Sequence, residues 1–204
     1  MNKQPIAYFV RHGTTSGNAN GTFRGPIDYP LDAQGKQDAS TLGKWFSDKS
    51  IGAIYASPKK RAQDTAREVA LPHQLKVKTV DAFQPINVGY LAGEPKKDHA
   101  GIMDYFEKNP NEKVPMGESL NEFRGRTQQP IKDLLAKGAH SPRPVVAVVH
   151  SSIIHELNHI ITGDHNQTLV KPGGVVGVFH HPEHGLALKA LLYPEKEEAV
   201  PYHG

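Results

Sequence analysis

The stretch Ile6-Ala-Tyr-Phe-Val-Arg-His-Gly-Thr14 decides the fold that this sequence predicts. Its first five residues are an apolar run with β-branched and aromatic members, bounded by a proline and a glycine. Such a run indicates a buried strand of a parallel sheet. Arg11 and His12 follow at the carboxyl end of that strand, where ligands bind in open α/β sheets. A guanidinium can hold phosphate oxygens while an imidazole attacks phosphorus, so the pair suggests phosphoryl chemistry.

The composition narrows the class of protein. The chain has 204 residues, 37% of them hydrophobic, and we expect one domain over 1–204. Cysteine is absent and no apolar run reaches the length of a membrane span, so we expect a cytoplasmic protein without a membrane partner. The net charge is +3 and the Lys and Arg residues are scattered, which argues against a nucleic-acid partner. The oligomeric state stays open, with a dimer as one option.

Two further strand ends carry charged or titratable side chains. Ala53–Ala56 is predicted to be a short strand, and Arg61 lies in the first turn of the helix that follows it. Val145–Val149 is the clearest buried strand of the chain, and His150 stands at its carboxyl end. Arg11, His12, Arg61 and His150 should therefore meet at one edge of the sheet. Two cations and two imidazoles there would suit a dianion.

The other patterns complete an alternating order of strands and helices. Further strands are predicted at about 75–79, 175–180 and 186–192, and helices at about 33–49, 100–108, 119–137 and 151–162, with one more that starts at Ser57-Pro58. Pro130 is expected to kink the helix at 119–137. The order predicts a three-layer α/β/α sandwich with a mainly parallel central sheet. Residues 81–130 are expected to form a cap-like segment of loop and helices, and 194–204 a tail.

Several short motifs, taken together in order, resemble those of the histidine phosphatase superfamily, in its phosphoglycerate-mutase-like branch. The resemblance covers almost the whole chain. The matching pieces are Arg11-His12-Gly13 with Asn18, Phe23-Arg24-Gly25 with Asp28, Pro30-Leu31 and Gly35, Ser57-Pro58 to Ala66, Gly117-Glu118-Ser119, and Val148-Val149-His150 with a helix ended by Gly163. Each piece is short, and it is their order and spacing that make the resemblance specific.

The resemblance implies a role for each matching residue. His12 would be the nucleophile that becomes a phosphohistidine, and Arg11, Arg61 and His150 would hold the transferring phosphoryl group. The contacts to substrate would come from Asn18, Arg24 and the backbone N–H of Ser151. It implies no cofactor and no metal, because arginines and imidazoles supply the positive charge. The expected partner is a small phosphorylated substrate or phosphate.

One position departs from the family pattern. The family places a glutamate that protonates the leaving oxygen in a stretch that aligns with Phe83–Gly93, and Pro85 occupies that position here. Proline cannot donate a proton, and general acid catalysis contributes about 100- to 10,000-fold. Glu118 is the first candidate to replace it, ahead of Asp81 and Glu94. Alternatively, the substrate has an easily lost leaving group, or the protein binds phosphorylated ligands with little turnover.

A competing motif is His155-Glu-Leu-Asn-His159, which matches the zinc-peptidase pattern and lies on a predicted helix, with His165 at a plausible third-ligand distance. The glycine of the longer peptidase pattern is one place late, at Gly163, and the later methionine is missing. We therefore predict a metal-independent phosphatase for a phosphomonoester or an activated phosphate. The alternatives are phosphoglycerate-mutase-type transfer and a catalytically weak phospholigand-binding protein; a zinc peptidase is the least favoured.

Overall fold

The computed structural model describes residues 4–164, 170–183 and 185–194. Apart from Pro194, the predicted tail at 194–204 lies outside the described residues, as does His165. The strands are β1 (Ala7–Arg11), β2 (Ala53–Ala56), β3 (Val77–Thr79), β4 (Val145–Val149), β5 (Val170–His181) and β6 (Gly185–Pro194). The α-helices are α1 (Ser16–Ala19), α2 (Ala33–Phe46), α3 (Lys60–Ala70), α4 (Ile102–Lys108), α5 (Leu120–Ala139) and α6 (Ser151–Thr162).

The strands form one sheet in the order β3-β2-β4-β1-β5-β6. Neighbours are parallel from β3 to β1, whereas β5 runs antiparallel to both β1 and β6. Arg11 pairs with Val149, so His12 and His150 leave neighbouring strands at the same level. The mainly parallel sheet is therefore confirmed, and so is the meeting of two strand ends at one edge.

Alternating side chains of β1 build a core on each face of the sheet. Tyr8 and Val10 belong to the cluster packed by α2 and α3, whereas Ala7 and Phe9 belong to the cluster packed by α5 and α6. Because successive strand residues point to opposite faces, a continuous apolar strand must be covered on both sides. The predicted three-layer α/β/α sandwich is confirmed.

The predicted caps of α2 and α6 are present, whereas α2 ends at Phe46 rather than at about Lys49 and α3 begins at Lys60 rather than at Pro58. The Asp32 side chain accepts the N–H of Gly35 at the start of α2, and Ser119 and Glu122 form a capping box at the start of α5. Gly163 ends α6 in the left-handed conformation at φ 77°. α5 continues through Pro130 as one helix.

The structure differs from the predicted elements in length and in short turns. β5 and β6 are longer than predicted because they pair with each other in a hairpin beyond the end of β1. The expected loop after β1 contains the one-turn helix α1. Short 3-10 turns interrupt the loop predicted after β3, at Asp81–Phe83, Gly89–Leu91 and Lys96–His99.

A small third core lies within the segment predicted to be cap-like. Phe23, Val88, Leu91 and Val114 are buried together, and α4 packs on them through partly buried apolar side chains. This core therefore ties the loop around Phe23 to residues 86–114. No helix in the described part of the chain is both long and apolar enough to cross a lipid bilayer.

Candidate active site

The carboxyl ends of β1, β2 and β4 open into a cavity of ≈ 230 Å³. Five of the residues predicted from sequence line it: His12, Arg24, Arg61, His150 and Ser151. The others that line it are Phe23, Gly25, Pro85, Ile86, Val88, Lys96, Met103, Glu107, Ser152 and His155. The structure thus brings together the nucleophile candidate, three cationic side chains and the start of α6.

The hydrogen bonds of His12 determine which ring nitrogen carries the proton. Nδ1 lies 2.7 Å from the carbonyl oxygen of Gly13, which can only accept, so Nδ1 is protonated. Nε of Arg61 donates to Nε2 over 3.2 Å, so Nε2 carries the lone pair. His12 is 2% exposed, and Nε2 faces the guanidinium that a phosphate would also use. The ring is therefore held in the tautomer that a nucleophile requires.

A hydrogen bond with Ser57 orients the ring of His150, as the hydrogen bond to Gly13 orients the ring of His12. Ser57 Oγ accepts the N–H of Lys59 and lies 2.8 Å from Nε2 of His150. If the hydroxyl donates to Nε2, the hydrogen of the neutral ring is on Nδ1, and that buried atom has no hydrogen-bond partner among the described residues. His150 lines the cavity with its ring centroid 5.1 Å from that of His12, and Nδ1 is the nitrogen left to donate to a phosphate oxygen.

Three arginines supply positive charge around His12. Arg61, 1% exposed, is held by the carbonyl of Ile27 at 2.8 Å and by the carboxylate of Asp28 at 3.4 Å. Arg24 lies across the cavity and donates weakly to backbone carbonyls at 3.4 Å. Arg11 donates to the carbonyl of Val170 at 2.9 Å and does not line the cavity. Arg11 therefore influences His12 through its charge rather than by lining the cavity.

Burial and these cations keep both imidazoles neutral. The pKa of His12 is lowered well below its usual value, first by burial and then by the charge of Arg61. The pKa of His150 is lowered in the same way by burial, Arg61 and His12. Burial also lowers the pKa of Arg61, to about 10, which leaves it charged at neutral pH. The site thus combines unprotonated imidazoles with a permanent positive charge.

Asn18 and Glu118, which were also predicted from sequence, lie outside the cavity of His12. Asn18 does not line the cavity, and its Oδ1 accepts from the backbone N–H and hydroxyl of Thr15 at 3.2 and 2.8 Å. Glu118 forms an ion pair with Arg126 at 2.7 and 2.9 Å and also accepts the N–H of Asn87. Because it is held in this way outside the cavity of His12, the geometry does not favour Glu118 as the acid. Pro85, by contrast, does line that cavity.

A second cavity, of ≈ 100 Å³, adjoins the first and is mainly apolar. Its apolar lining residues are Ile86, Val88, Met103, Phe106, Val114, Leu120 and Phe123. Six residues line both cavities, and these are Ile86, Val88, Met103, Glu107, Ser152 and His155. The cavity of His12, which we call the phosphate pocket, therefore continues into a mainly apolar chamber that shares Val88 and Val114 with the third core.

The zinc-peptidase motif has a structural role in α6. Glu156 is 3% exposed, accepts from Gln128 at 2.7 Å and pairs with Arg124 at 3.5 Å. That carboxylate is engaged where a peptidase would need it as a base. Among the described residues, no three His, Asp or Glu side chains are grouped to hold a metal ion.

Sequence reasoning missed Ser57 and Glu107 as members of the site, and Thr65 as its support. The hydroxyl of Thr65 accepts the N–H of Gly13 at 3.1 Å and so supports the loop after His12. Ser57 could have been found, because it follows β2 at the sheet edge that carries the other site residues. Glu107 had no such signal, because its position follows from the packing of α4.

Comparison with known proteins agrees with this geometry. The family model described as histidine phosphatase superfamily (branch 1) matches residues 7–175. The chain is 29% identical over 154 residues to the phosphatase PhoE of Bacillus subtilis, covering 76% of each protein. It is 30% identical over 156 residues to phosphoglycerate mutase-like protein 4 of Arabidopsis thaliana, covering 72% of this chain and 67% of that protein.

A solved structure shares the fold. The mycobacterial glucosyl-3-phosphoglycerate phosphatase in complex with VO3 superimposes with a TM-score of 0.77 at 20% identity, over 93% of this chain and 99% of the other. The resemblance noted in the sequence is thereby confirmed. This chain belongs to branch 1 of the histidine phosphatase superfamily and is an enzyme of the phosphatase class.

Proposed function

We propose that the chain is a metal-independent phosphatase that hydrolyses small phosphate esters through a phosphohistidine on His12. The observation that carries the proposal is the environment of Nε2 of His12, which is unprotonated, buried and 3.2 Å from the guanidinium of Arg61. A nucleophile needs a free lone pair, and a phosphoryl group needs cations around its oxygens. Nε2 of His12 satisfies both conditions.

The reaction would proceed in two steps. Nε2 attacks phosphorus while Arg61, Arg24 and Nδ1–H of His150 hold the oxygens of the transferring group, and the P–O bond to the organic part breaks. Gly13 keeps its hydrogen bond with Nδ1–H of His12, which stabilises the positive charge that the ring gains on phosphorylation. Water then attacks the phosphohistidine and releases phosphate. The backbone N–H groups of Ser151 and Ser152, in the first turn of α6, can donate to the same oxygens.

The finer assignments are part of this proposal. Arg11 is a positioning and charge-supplying residue rather than a direct contact, since it donates to Val170. Asn18 supports the loop after His12 through its cap on Thr15. The absence of cysteine supports a cytoplasmic address, as expected for a reducing compartment.

The test is formation of an acid-labile phosphoenzyme from a radiolabelled aryl phosphate. We expect the wild type and His140→Ala, which changes an exposed histidine, to form it, and His12→Ala to form none while keeping its fold by circular dichroism. A labelled His12→Ala protein would show that the nucleophile is another residue. A wild type that binds phosphate without labelling would favour the phospholigand-binding alternative.

Phosphoglycerate-mutase-type transfer is the second candidate, because several relatives, three of them at 30% identity, carry mutase or mutase-like names. The two activities differ in the acceptor of the phosphoryl group. We expect the labelled enzyme to release inorganic phosphate at a rate that added phosphoglycerate does not change.

EDTA should leave turnover unchanged, and inhibition that zinc reverses would contradict the metal-independent mechanism.

A further inference from the structure

The proposed reaction leaves one proton without a donor. When Nε2 of His12 displaces an alcohol, the electrons of the broken P–O bond stay on the leaving oxygen, which must gain a proton. The residue aligned with the family's acid is Pro85, and it lines the cavity of His12 without a group that can donate. The donor has to come from another element.

The two adjoining cavities restrict where that donor can stand. In the binding mode that we propose, phosphorus sits beside His12 and the organic group extends into the adjoining apolar chamber, so the leaving oxygen lies where the two cavities meet. A donor must therefore line both cavities. Only two titratable side chains among the described residues do so, and these are Glu107 and His155.

Of these two, Glu107 is the side chain whose surroundings favour the protonated form. The pKa of His155 is lowered to about 4, mainly by burial and then by Arg11, so its ring is neutral at pH 7. In Glu107, an exposed residue, partial burial of the carboxyl and then the charge of Asp104 raise the pKa, whereas Arg124 of α5 lowers it. The net direction favours the protonated carboxyl. No hydrogen bond or ion pair within the described part of the chain engages the Glu107 carboxyl. The other glutamates that line the chamber, Glu118 and Glu156, are paired with Arg126 and Arg124.

Resting on the function proposed above, we propose that Glu107 of α4 is the proton donor to the leaving oxygen, at the boundary between the phosphate pocket and the apolar chamber. In the first step its carboxyl proton passes to the leaving oxygen as the P–O bond breaks and the Nε2–P bond forms. In the second step the Glu107 carboxylate takes a proton from the water that attacks phosphorus. Protons balance over the cycle, and the function lost at position 85 is supplied by the cap.

The test compares Glu107→Gln with the wild type on 2,4-dinitrophenyl, 4-nitrophenyl, phenyl and benzyl phosphate. Dinitrophenolate leaves without protonation, whereas benzyl alcohol needs it. We expect kcat/KM of Glu107→Gln for benzyl phosphate to fall about 100- to 10,000-fold, with little change for the dinitrophenyl ester. Glu112→Gln is the matched control, because Glu112 is a nearby carboxyl that pairs with Tyr105 and lines neither cavity. It should keep the wild-type dependence on the leaving group.

A second measurement separates a donor from a residue that only supports the cavity. Asp104→Asn removes a negative charge that raises the pKa of Glu107, so the alkaline limb of the benzyl phosphate pH profile should move to lower pH. Equal losses of Glu107→Gln on all four esters, or no loss on any, would overturn the assignment while leaving the His12 mechanism in place. Wild-type rates no higher than those of His12→Ala on every ester would overturn the proposed function as well.

Discussion

Arg61 donates to the same nitrogen of His12 that is expected to attack phosphorus. In the absence of substrate this contact occupies the lone pair and disfavours protonation, because a proton on Nε2 would face the guanidinium directly. A bound phosphate would draw the guanidinium to its oxygens and free Nε2. In the proposed mechanism, one arginine thus keeps His12 neutral and then stabilises the phosphoryl group that His12 attacks.

Removing the charge of Arg61 should change both the titration of His12 and the rate. In Arg61→Gln the pKa of His12 should rise towards its ordinary value, because burial remains but the adjacent cation is gone. NMR titration of the His12 ring measures it directly. We expect kcat/KM to fall about 100- to 1,000-fold, as for the loss of one donor to the transition state.

Arg67→Gln is the matched control, because Arg67 lies on the same helix but is exposed and pairs with Asp64. It should change neither the titration nor the rate. A His12 pKa that stays the same in Arg61→Gln would show that burial alone keeps the ring neutral.

At the scale of elements, the loop that carries His12 rests on the first turn of α2. A Cβ at Gly35 would lie 1.9 Å from the carbonyl oxygen of Thr14, and a Cβ at Gly13 would lie 2.5 Å from the carbonyl of Gly35. The carboxylate of Asp38, also in α2, accepts the N–H and the hydroxyl of Thr14 at 2.9 and 2.7 Å. The two segments are therefore packed backbone to backbone, which positions His12.

Gly35→Ala tests this contact. The added methyl cannot be accommodated without moving the loop, so we expect the free energy of unfolding to fall by about 1–3 kcal/mol and the activity to fall with it. Chemical denaturation followed by circular dichroism measures the loss.

Gly125→Ala is the control within a helix, because a Cβ there would meet nothing within 4 Å. It should leave stability unchanged or raise it by up to about 1 kcal/mol. Equal stability of Gly35→Ala and the wild type would show that the loop adjusts without cost.

Strands and helices could be predicted from the sequence where a single local pattern determines their bounds. β2, β4 and α6 follow from short apolar runs and from the stop at Gly163, and their predicted bounds agree with the structure. The extension of β5 and β6 was not predictable, because it depends on pairing between two strands rather than on either segment. The turns at 81–99 are held by backbone contacts to distant loops, such as that between Phe23 and Glu94.

At the scale of the whole molecule, the phosphate pocket and the apolar chamber differ in how far they could be predicted. The pocket follows from sheet topology, whereas the chamber depends on contacts between distant segments. The phosphate pocket forms at strand ends, and a parallel sheet brings strand ends together, so His12, Arg61 and His150 could be expected to meet from sequence. The apolar chamber forms where α4 and α5 pack against residues 86–88, and no rule of sheet topology predicts that contact. On the proposed mechanism, specificity and proton donation fall in the part of the chain that the sequence predicted only as a cap.

The chamber also predicts which esters the enzyme prefers. Its lining is mainly apolar, and its glutamates Glu156 and Glu118 are paired with Arg124 and Arg126, which leaves little positive charge to bind an anionic organic group such as glycerate. We expect kcat/KM for benzyl phosphate to exceed that for 3-phosphoglycerate. Leu120→Trp should fill part of the ≈ 100 Å³ chamber, since Leu120 lines it and does not line the pocket of His12.

Steady-state kinetics of Leu120→Trp would show where the organic group binds. The KM for benzyl phosphate should rise about tenfold or more, as expected for losing a compact apolar group from its pocket. Inhibition by inorganic phosphate should stay as in the wild type, because the phosphate pocket is untouched. Leu71→Trp changes an exposed leucine that lines neither cavity and should alter neither value. An unchanged KM in Leu120→Trp would mean that the organic group leaves the phosphate pocket by another path, and Glu107 would then lose the placement that makes it the donor.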